Sequence, residues 1–114
     1  MEDKTGYIAY LSCPYKDKSL EITNDRYKKV TIIAGKLLKK GIKIYSPVTH
    51  NHYIEQYTNL NWGHKEWLDY DFLFLKFCKK LFVLKLKGWK KSKGVKMEIE
   101  YAKQLGIPIE YINF

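Results

Sequence analysis

The chain has 114 residues, one domain's worth, which leaves no room for a second domain, an α/β barrel or a propeller. Hydrophobic residues make up 46% and charged residues 29%, the balance of a globular protein that can bury a core without staples. The 21 Lys and Arg exceed the 12 Asp and Glu, a net charge of +9, but Arg26 is the only arginine. Base-reading proteins favour the bidentate guanidinium, so most of this charge reads as solvated lysine, and nucleic acid is the lesser expectation.

No run of about eighteen apolar residues exists, so no spanning helix and no membrane partner are expected. Met1-Glu2-Asp3-Lys4 is charged and lacks the apolar stretch of a secretory signal, and Cys13 and Cys78 make no disulfide framework. The expected setting is reduced and cytoplasmic.

In chain order, Gly6 to Cys13 reads as a buried first strand ended by Pro14. From about Asn24, or from near Ser19, to Lys40 the pattern is helical, with Tyr27, Val30, Ala34 and Leu37 on one stripe that Ile33 and Leu38 widen. Gly41 suits the residue just past a helix end. Ile42 to Ser46 is a second strand stopped by Pro47. His50 to Asn61 has no clean period and reads as a loop, and a loop that long in a small domain is often functional. Trp62 to Cys78 reads as a second helix, apolar on most sides and therefore well buried. Leu81 to Leu86 is an unbroken apolar strand, as in a parallel sheet covered on both faces. A basic loop, Gly88 to Gly94, leads into a third helix ending at Leu105 and Gly106, and Pro108 to Ile112 is the last strand. The alternation predicts an α/β fold, a doubly wound, Rossmann-like or flavodoxin-like parallel sheet of four to five strands flanked by helices. Ligands then sit beyond the carboxyl ends of the strands, here Cys13-Pro14-Tyr15, Pro47 to His50, and Gly88 to Gly94.

Two acids stand on apolar stripes. Val95, Glu98, Ala102 and Leu105 are spaced +3, +4, +3, and so are Leu68, Asp71, Leu75 and Cys78. Glu98 and Asp71 therefore face inward, whereas Glu100, about 200° around the helix from Glu98, can be solvated. An inward carboxylate is costly unless it is paired or hydrogen-bonded, and one alone reads as a structural cap. Two at the same sheet edge match the paired acids that cleave a glycosidic bond. Ser92-Lys93-Gly94 sits at the start of the third helix, where free N–H groups and the dipole favour an anion; Ser92 also suits a simple cap.

These residues resemble a known family. Ser92-Lys93-Gly94-Val95-Lys96-Met97-Glu98, with Ala102 and Gly106-Ile107-Pro108-Ile109, is similar to the signature of the nucleoside 2-deoxyribosyltransferase superfamily. Asp71 to Leu75 with Cys78 to Leu84, Tyr10 to Tyr15, and Tyr45 to His50 resemble three further segments of it, the last two as in a less characterised bacterial and phage branch. The resemblance spans nearly the whole chain and implies a small-molecule nucleotide or nucleoside as partner, with the chain a homodimer or higher homo-oligomer and no cofactor. It implies Glu98 as nucleophile on C1′ and Asp71 assisting at the nucleobase. Tyr10 would line the sugar pocket and position Glu98, and Ser92 with Gly94 would meet a 5′-phosphate. Cys13, His50 and Arg26 would lie near the substrate. The chain differs from the family pattern at Glu100, at Lys79 and at Cys13-Pro14-Tyr15-Lys16.

Other chemistries are weaker. His50 and His52 at i, i+2 lack further ligands at zinc spacing, so no metal is expected. Cys13 has no His placed by sequence to activate it as a nucleophile. Trp62, Trp67 and Trp89 read as core or dimer contacts, with Trp89 a candidate for stacking on a base. The leading expectation is N-glycosidic hydrolysis or transfer on a nucleotide. The alternatives are a non-catalytic binder that uses the same cleft and the loop lysines Lys87, Lys90, Lys91 and Lys93, or cleavage of an ADP-ribose-type signalling nucleotide. A lysine filling the cleft would favour the binder.

Overall fold

The computed structural model describes residues 6–114. Four strands, β1 (Ala9–Ser12), β2 (Ile44–Tyr45), β3 (Lys80–Leu84) and β4 (Ile109–Ile112), form one all-parallel sheet in the order β2-β1-β3-β4. The helices α1 (Leu20–Lys39), α2 (Pro47–Tyr57), α3 (His64–Leu75) and α4 (Lys93–Gln104) make the crossovers, and a single 3₁₀ turn, Trp89–Lys91, precedes α4. This is the small α/β fold expected, with four strands.

Period-two alternation sends the two strand faces into two cores. Ala9, Leu11, Phe82 and Leu84 pack under Val30, Ile33, Ala34 and Leu37 of α1 and Val48 of α2. Tyr10, Leu81 and Val83 pack on the opposite face against Leu75 of α3 and Val95 and Ala102 of α4. Strand order reverses between β1 and β3, so the crevice beyond their carboxyl ends is a topological switch point.

Local signals set the boundaries. Ser19, not Asn24, caps α1: its Oγ accepts from the N–H of Ile22 at 3.3 Å. Gly41 at φ 88° and Gly106 at φ 71° close α1 and α4, with Ile42 N–H donating to Leu37 and Ile107 N–H to Ala102.

Three readings need correction. The segment expected as a loop from His50 is largely helix α2, and Pro47 begins that helix at its first turn instead of merely ending the strand. Its period was hidden because its inward positions, Asn51 and His52, are polar. The second expected helix is shorter than predicted and buries only Leu68, Asp71 and Leu75; Leu73 on its far side and Phe77, past its end, are exposed. Leu38 of α1 likewise faces solvent instead of widening the buried stripe.

Arg26 ties the switch point together. Its guanidinium donates to the carbonyls of Tyr15 (3.3 Å), Lys16 (3.4 Å) and Lys87 (3.0 Å), joining the loops that follow β1 and β3. Gly88 makes room for it: φ is +88°, and a Cβ there would fall 2.9 Å from Arg26 Nη2.

Candidate functional site

The switch point opens into a cavity of about 720 Å³. Its floor carries the two inward acids. Tyr10 and Ser12, two residues apart on β1, share the face that looks at α4, and both reach Glu98. The Tyr10 hydroxyl donates to Glu98 Oε2 at 2.5 Å and the Ser12 hydroxyl to Oε1 at 2.6 Å. Glu98 is 6% exposed and still lines the cavity. Its partners are hydroxyls; among the described residues no lysine or arginine forms an ion pair with it. Asp71, on the adjacent helix α3, lines the same cavity and accepts from Asn51 Nδ2 at 3.1 Å.

The cavity rim is cationic on one side. Arg26, Lys91 and Lys93 line it beside Ser92, whose Oγ caps α4 by accepting from Val95 N–H at 3.2 Å. That bond uses a lone pair of the hydroxyl and leaves its hydrogen free to donate. Gly94 brings the α4 start close to α3: a Cβ there would lie in ordinary contact with His64 Cε1, at 3.7 Å. Trp62 and Trp67 also line the cavity. Trp67 Nε1 donates to Glu55 Oε2 at 2.5 Å, and the other oxygen of Glu55 pairs with Lys16 at 3.0 Å. This chain of contacts ties α3, α2 and the loop after β1 into one wall.

A family model described as a domain of unknown function, DUF1937, matches residues 7–113. The chain belongs to that family. No curated protein matches it.

Of the predicted site residues, Glu98, Asp71, Cys13, Arg26, Ser92 and Gly94 line this same cavity of the DUF1937 domain. Tyr10, fully buried, stands behind Glu98. His50 does not line the cavity; it is exposed, and its Nδ1 lies 2.7 Å from Asn51 Oδ1. His52 turns elsewhere, 2.6 Å from the Tyr15 hydroxyl and stacked on Tyr27 at 3.9 Å, so the two histidines converge on no common point. Trp89 is also off the cavity and packs on Tyr111. Ser12, Asn51, Trp62 and Trp67 are additional site residues. Ser12 was legible from period two, since it shares Tyr10's face; Asn51 was not, because its helix was read as loop. No group of three or more metal-ligating side chains occurs among the described residues, and no helix there is long and apolar enough to cross a membrane.

Burial governs the electrostatics of the DUF1937 site. Desolvation raises Glu98 to about 7; the Ser12 and Tyr10 hydroxyls oppose the shift, and the Asp71 charge adds to it. Desolvation likewise raises Asp71 to about 6, against the Asn51 hydrogen bond and the field of His50. Burial also raises the Tyr10 hydroxyl well above its ordinary value, so it stays a donor. The Cys13 thiol is raised as well, mainly by desolvation, and stays protonated, which removes it as a nucleophile.

These shifts have a consequence for stability. Glu98 binds its proton more tightly folded than unfolded, where its ordinary value is 4.5. Its favourable contribution is present below that value and is lost as the pH rises through about 7. Glu98→Gln keeps acceptors and donors for both hydroxyls without the charge. Urea unfolding should therefore show the wild type losing up to about 3 kcal/mol relative to Glu98→Gln between pH 4 and pH 8. Parallel stability curves for the two proteins would show that the carboxyl is not desolvated.

Proposed function

We propose that this domain cleaves or transfers the N-glycosidic bond of a (deoxy)ribonucleotide. The observation that carries the reading is Glu98: a desolvated carboxylate held on both oxygens by Tyr10 and Ser12, opening onto a cavity that a second raised carboxyl, Asp71, shares. A lysine filling the cleft would favour a binder; Lys16, Lys91 and Lys93 line this cavity but form no ion pair with Glu98, whose partners are neutral hydroxyls.

In this mechanism the ionised Glu98 attacks C1′ of the sugar. The C1′–N bond breaks, its electron pair stays on the nucleobase nitrogen, and Asp71 delivers the proton that neutralises the base. Water, or a second base, then attacks C1′ from the opposite side and gives its proton to the Asp71 carboxylate, and the C1′–Glu98 ester bond breaks to regenerate the carboxylate. Tyr10 and Ser12 hold Glu98 in place through both steps. The cationic rim supports a phosphate on the substrate, and the aromatic wall of Trp62 and Trp67 supports a flat base. The exposed apolar side chains Ile8, Leu73 and Phe77 support assembly into a homo-oligomer. The absence of a long apolar helix among the described residues and the two free thiols support a reduced, cytoplasmic setting.

The productive state has one proton on the carboxyl pair, with Glu98 ionised and Asp71 protonated. The pair holds one proton in the window from about pH 6 to about 7, mostly on Glu98, and the productive arrangement is the minor share of that singly protonated form; its amount still peaks there, so kcat should be bell-shaped with its maximum in that window. Base release from a panel of nucleosides and nucleoside 5′-monophosphates tests this. One or more monophosphates should be turned over, and Glu98→Gln should lower kcat at least about a thousandfold while the fold persists. Full activity in that variant would remove Glu98 from the chemistry.

The phosphate has its own test. A donated hydrogen bond from Ser92 to an anion is worth about 1.5–3 kcal/mol, so Ser92→Ala should lower the ratio of monophosphate to nucleoside affinity about tenfold or more. A cap alone would cost about 1 kcal/mol of stability and leave that ratio unchanged. Binding of both ligands to the two proteins, followed by calorimetry, separates the outcomes.

A further inference from the structure

Asp71 makes a side-chain hydrogen bond to one residue among those described, Asn51 on α2, and only through Oδ1. Asn51 is 7% exposed, so its amide has little freedom to turn toward water. Two neighbours settle which way that amide points. An ionised carboxylate only accepts, so the amide nitrogen must face Asp71. The amide oxygen then faces His50, and because it too only accepts, His50 Nδ1 must carry a hydrogen. The result is a directed chain, His50 Nδ1–H to Asn51 Oδ1 (2.7 Å) and Asn51 Nδ2–H to Asp71 Oδ1 (3.1 Å). The ring of His50 is steadied by packing against Tyr45 and Tyr70.

The geometry points to Asn51, locked by His50, as the positioning residue for Asp71: it occupies Oδ1 with a donated hydrogen bond and so leaves Oδ2 to carry the mobile proton toward the cavity. A carboxyl with two equivalent free oxygens would place its proton on either. One already accepting from an amide N–H holds its proton on the other oxygen, because two hydrogens cannot share the Oδ1–Nδ2 contact. His50 acts one step further back. If the Asn51 amide flipped, its oxygen would face the Asp71 carboxylate and repel it, and the His50 N–H would lose its acceptor. This assignment also moves His50 from a place beside the substrate to a place behind the acid. It rests on Asp71 being the proton donor to the leaving base, but the hydrogen-bond chain itself can be tested without turnover.

The groups that face Asp71 come from every neighbouring element: His50 and Asn51 from α2, Glu98 from α4, and the Tyr10 and Tyr45 hydroxyls from β1 and β2. The buried Tyr45 hydroxyl has no hydrogen-bond partner among the described residues, so Asn51 is the donor that Asp71 holds. The Asn51 bond and the His50 field both favour the ionised form of Asp71, and Glu98 opposes it when charged.

The experiment is a carbon-detected NMR titration of the aspartate carboxyls in the full chain; the sequence holds only five aspartates, and Asp71→Asn identifies the signal. Asn51→Leu, of similar volume, should raise the Asp71 pKa by about one unit. His50→Ala, at an exposed position that leaves the core untouched, should raise it by a smaller amount. His50→Asn, whose amide nitrogen can take the place of Nδ1 but carries no charge, should recover the part of the shift that the hydrogen bond carries and leave the part owed to the His50 field. Where base release is measurable, the two disruptive variants should shift the limb of the pH profile that belongs to Asp71 in the same direction and lower kcat about tenfold with KM little changed. An Asp71 titration identical in wild type, Asn51→Leu and His50→Ala would overturn the positioning role, whether or not the chain cleaves any nucleotide. Shifted titrations with no base release from any substrate would keep the hydrogen-bond chain and defeat the catalytic reading instead.

Discussion

The site depends on one arrangement: a glutamate carboxylate buried between a helix and a strand and held by two hydroxyls from that strand. Glu98 has the apolar neighbours Val95 and Ala102 on its own helix face, and Tyr10 and Ser12 below it. Placing a charge there is unfavourable, and the two short hydrogen bonds offset only part of the cost, which is why its proton is held to about pH 7. A carboxylate kept only for structure gains nothing from this environment, since a glutamine would satisfy the same hydroxyls without a charge. The arrangement has chemical value in a group that must be ionised but poorly solvated when it meets a developing cation.

The rest of the fold serves that arrangement. Parallel pairing puts the ends of β1 and β3 side by side, and the reversal of strand order opens the crevice above them. Arg26 bridges the two loops at that opening, and glycine at position 88 is what lets it pass. Helices α3 and α4 lie on the Tyr10 face of the sheet, so their inward acids arrive in one cavity from two helices. Trp67, Glu55 and Lys16, joined to one another, complete its lining.

Much of this was legible in the sequence because the signals were physical periods. The matched +3, +4, +3 spacings put Asp71 and Glu98 inward, and both are buried; their neighbours Asp69 and Glu100 are exposed. Strand positions followed from short apolar runs closed by Pro14 and Gly88. What escaped was α2. A helix is recognised by an apolar stripe, and the stripe of α2 is Val48, Asn51 and His52, whose polar members are satisfied by partners far along the chain. Those partners, Asp71 and Tyr15, are known only once the fold is formed, so no local reading could separate this segment from a loop. His50 is placed near the substrate by resemblance alone, whereas its ring lies outside the cavity lining, with Nδ1 beside Asn51 Oδ1.

The reading of Glu98 as the atom donor to C1′ makes one claim that no binder and no structural carboxylate would satisfy: a sugar is joined to it covalently during turnover. The direct measurement uses a nucleoside monophosphate carrying fluorine at C2′, which slows loss of the sugar by destabilising the cationic transition state. Intact-mass spectrometry followed by peptide mapping should show one sugar phosphate added per chain, located on Glu98 and absent in Glu98→Gln. Release of the nucleobase from an ordinary substrate with no such adduct, or an adduct on any other residue, would contradict the account.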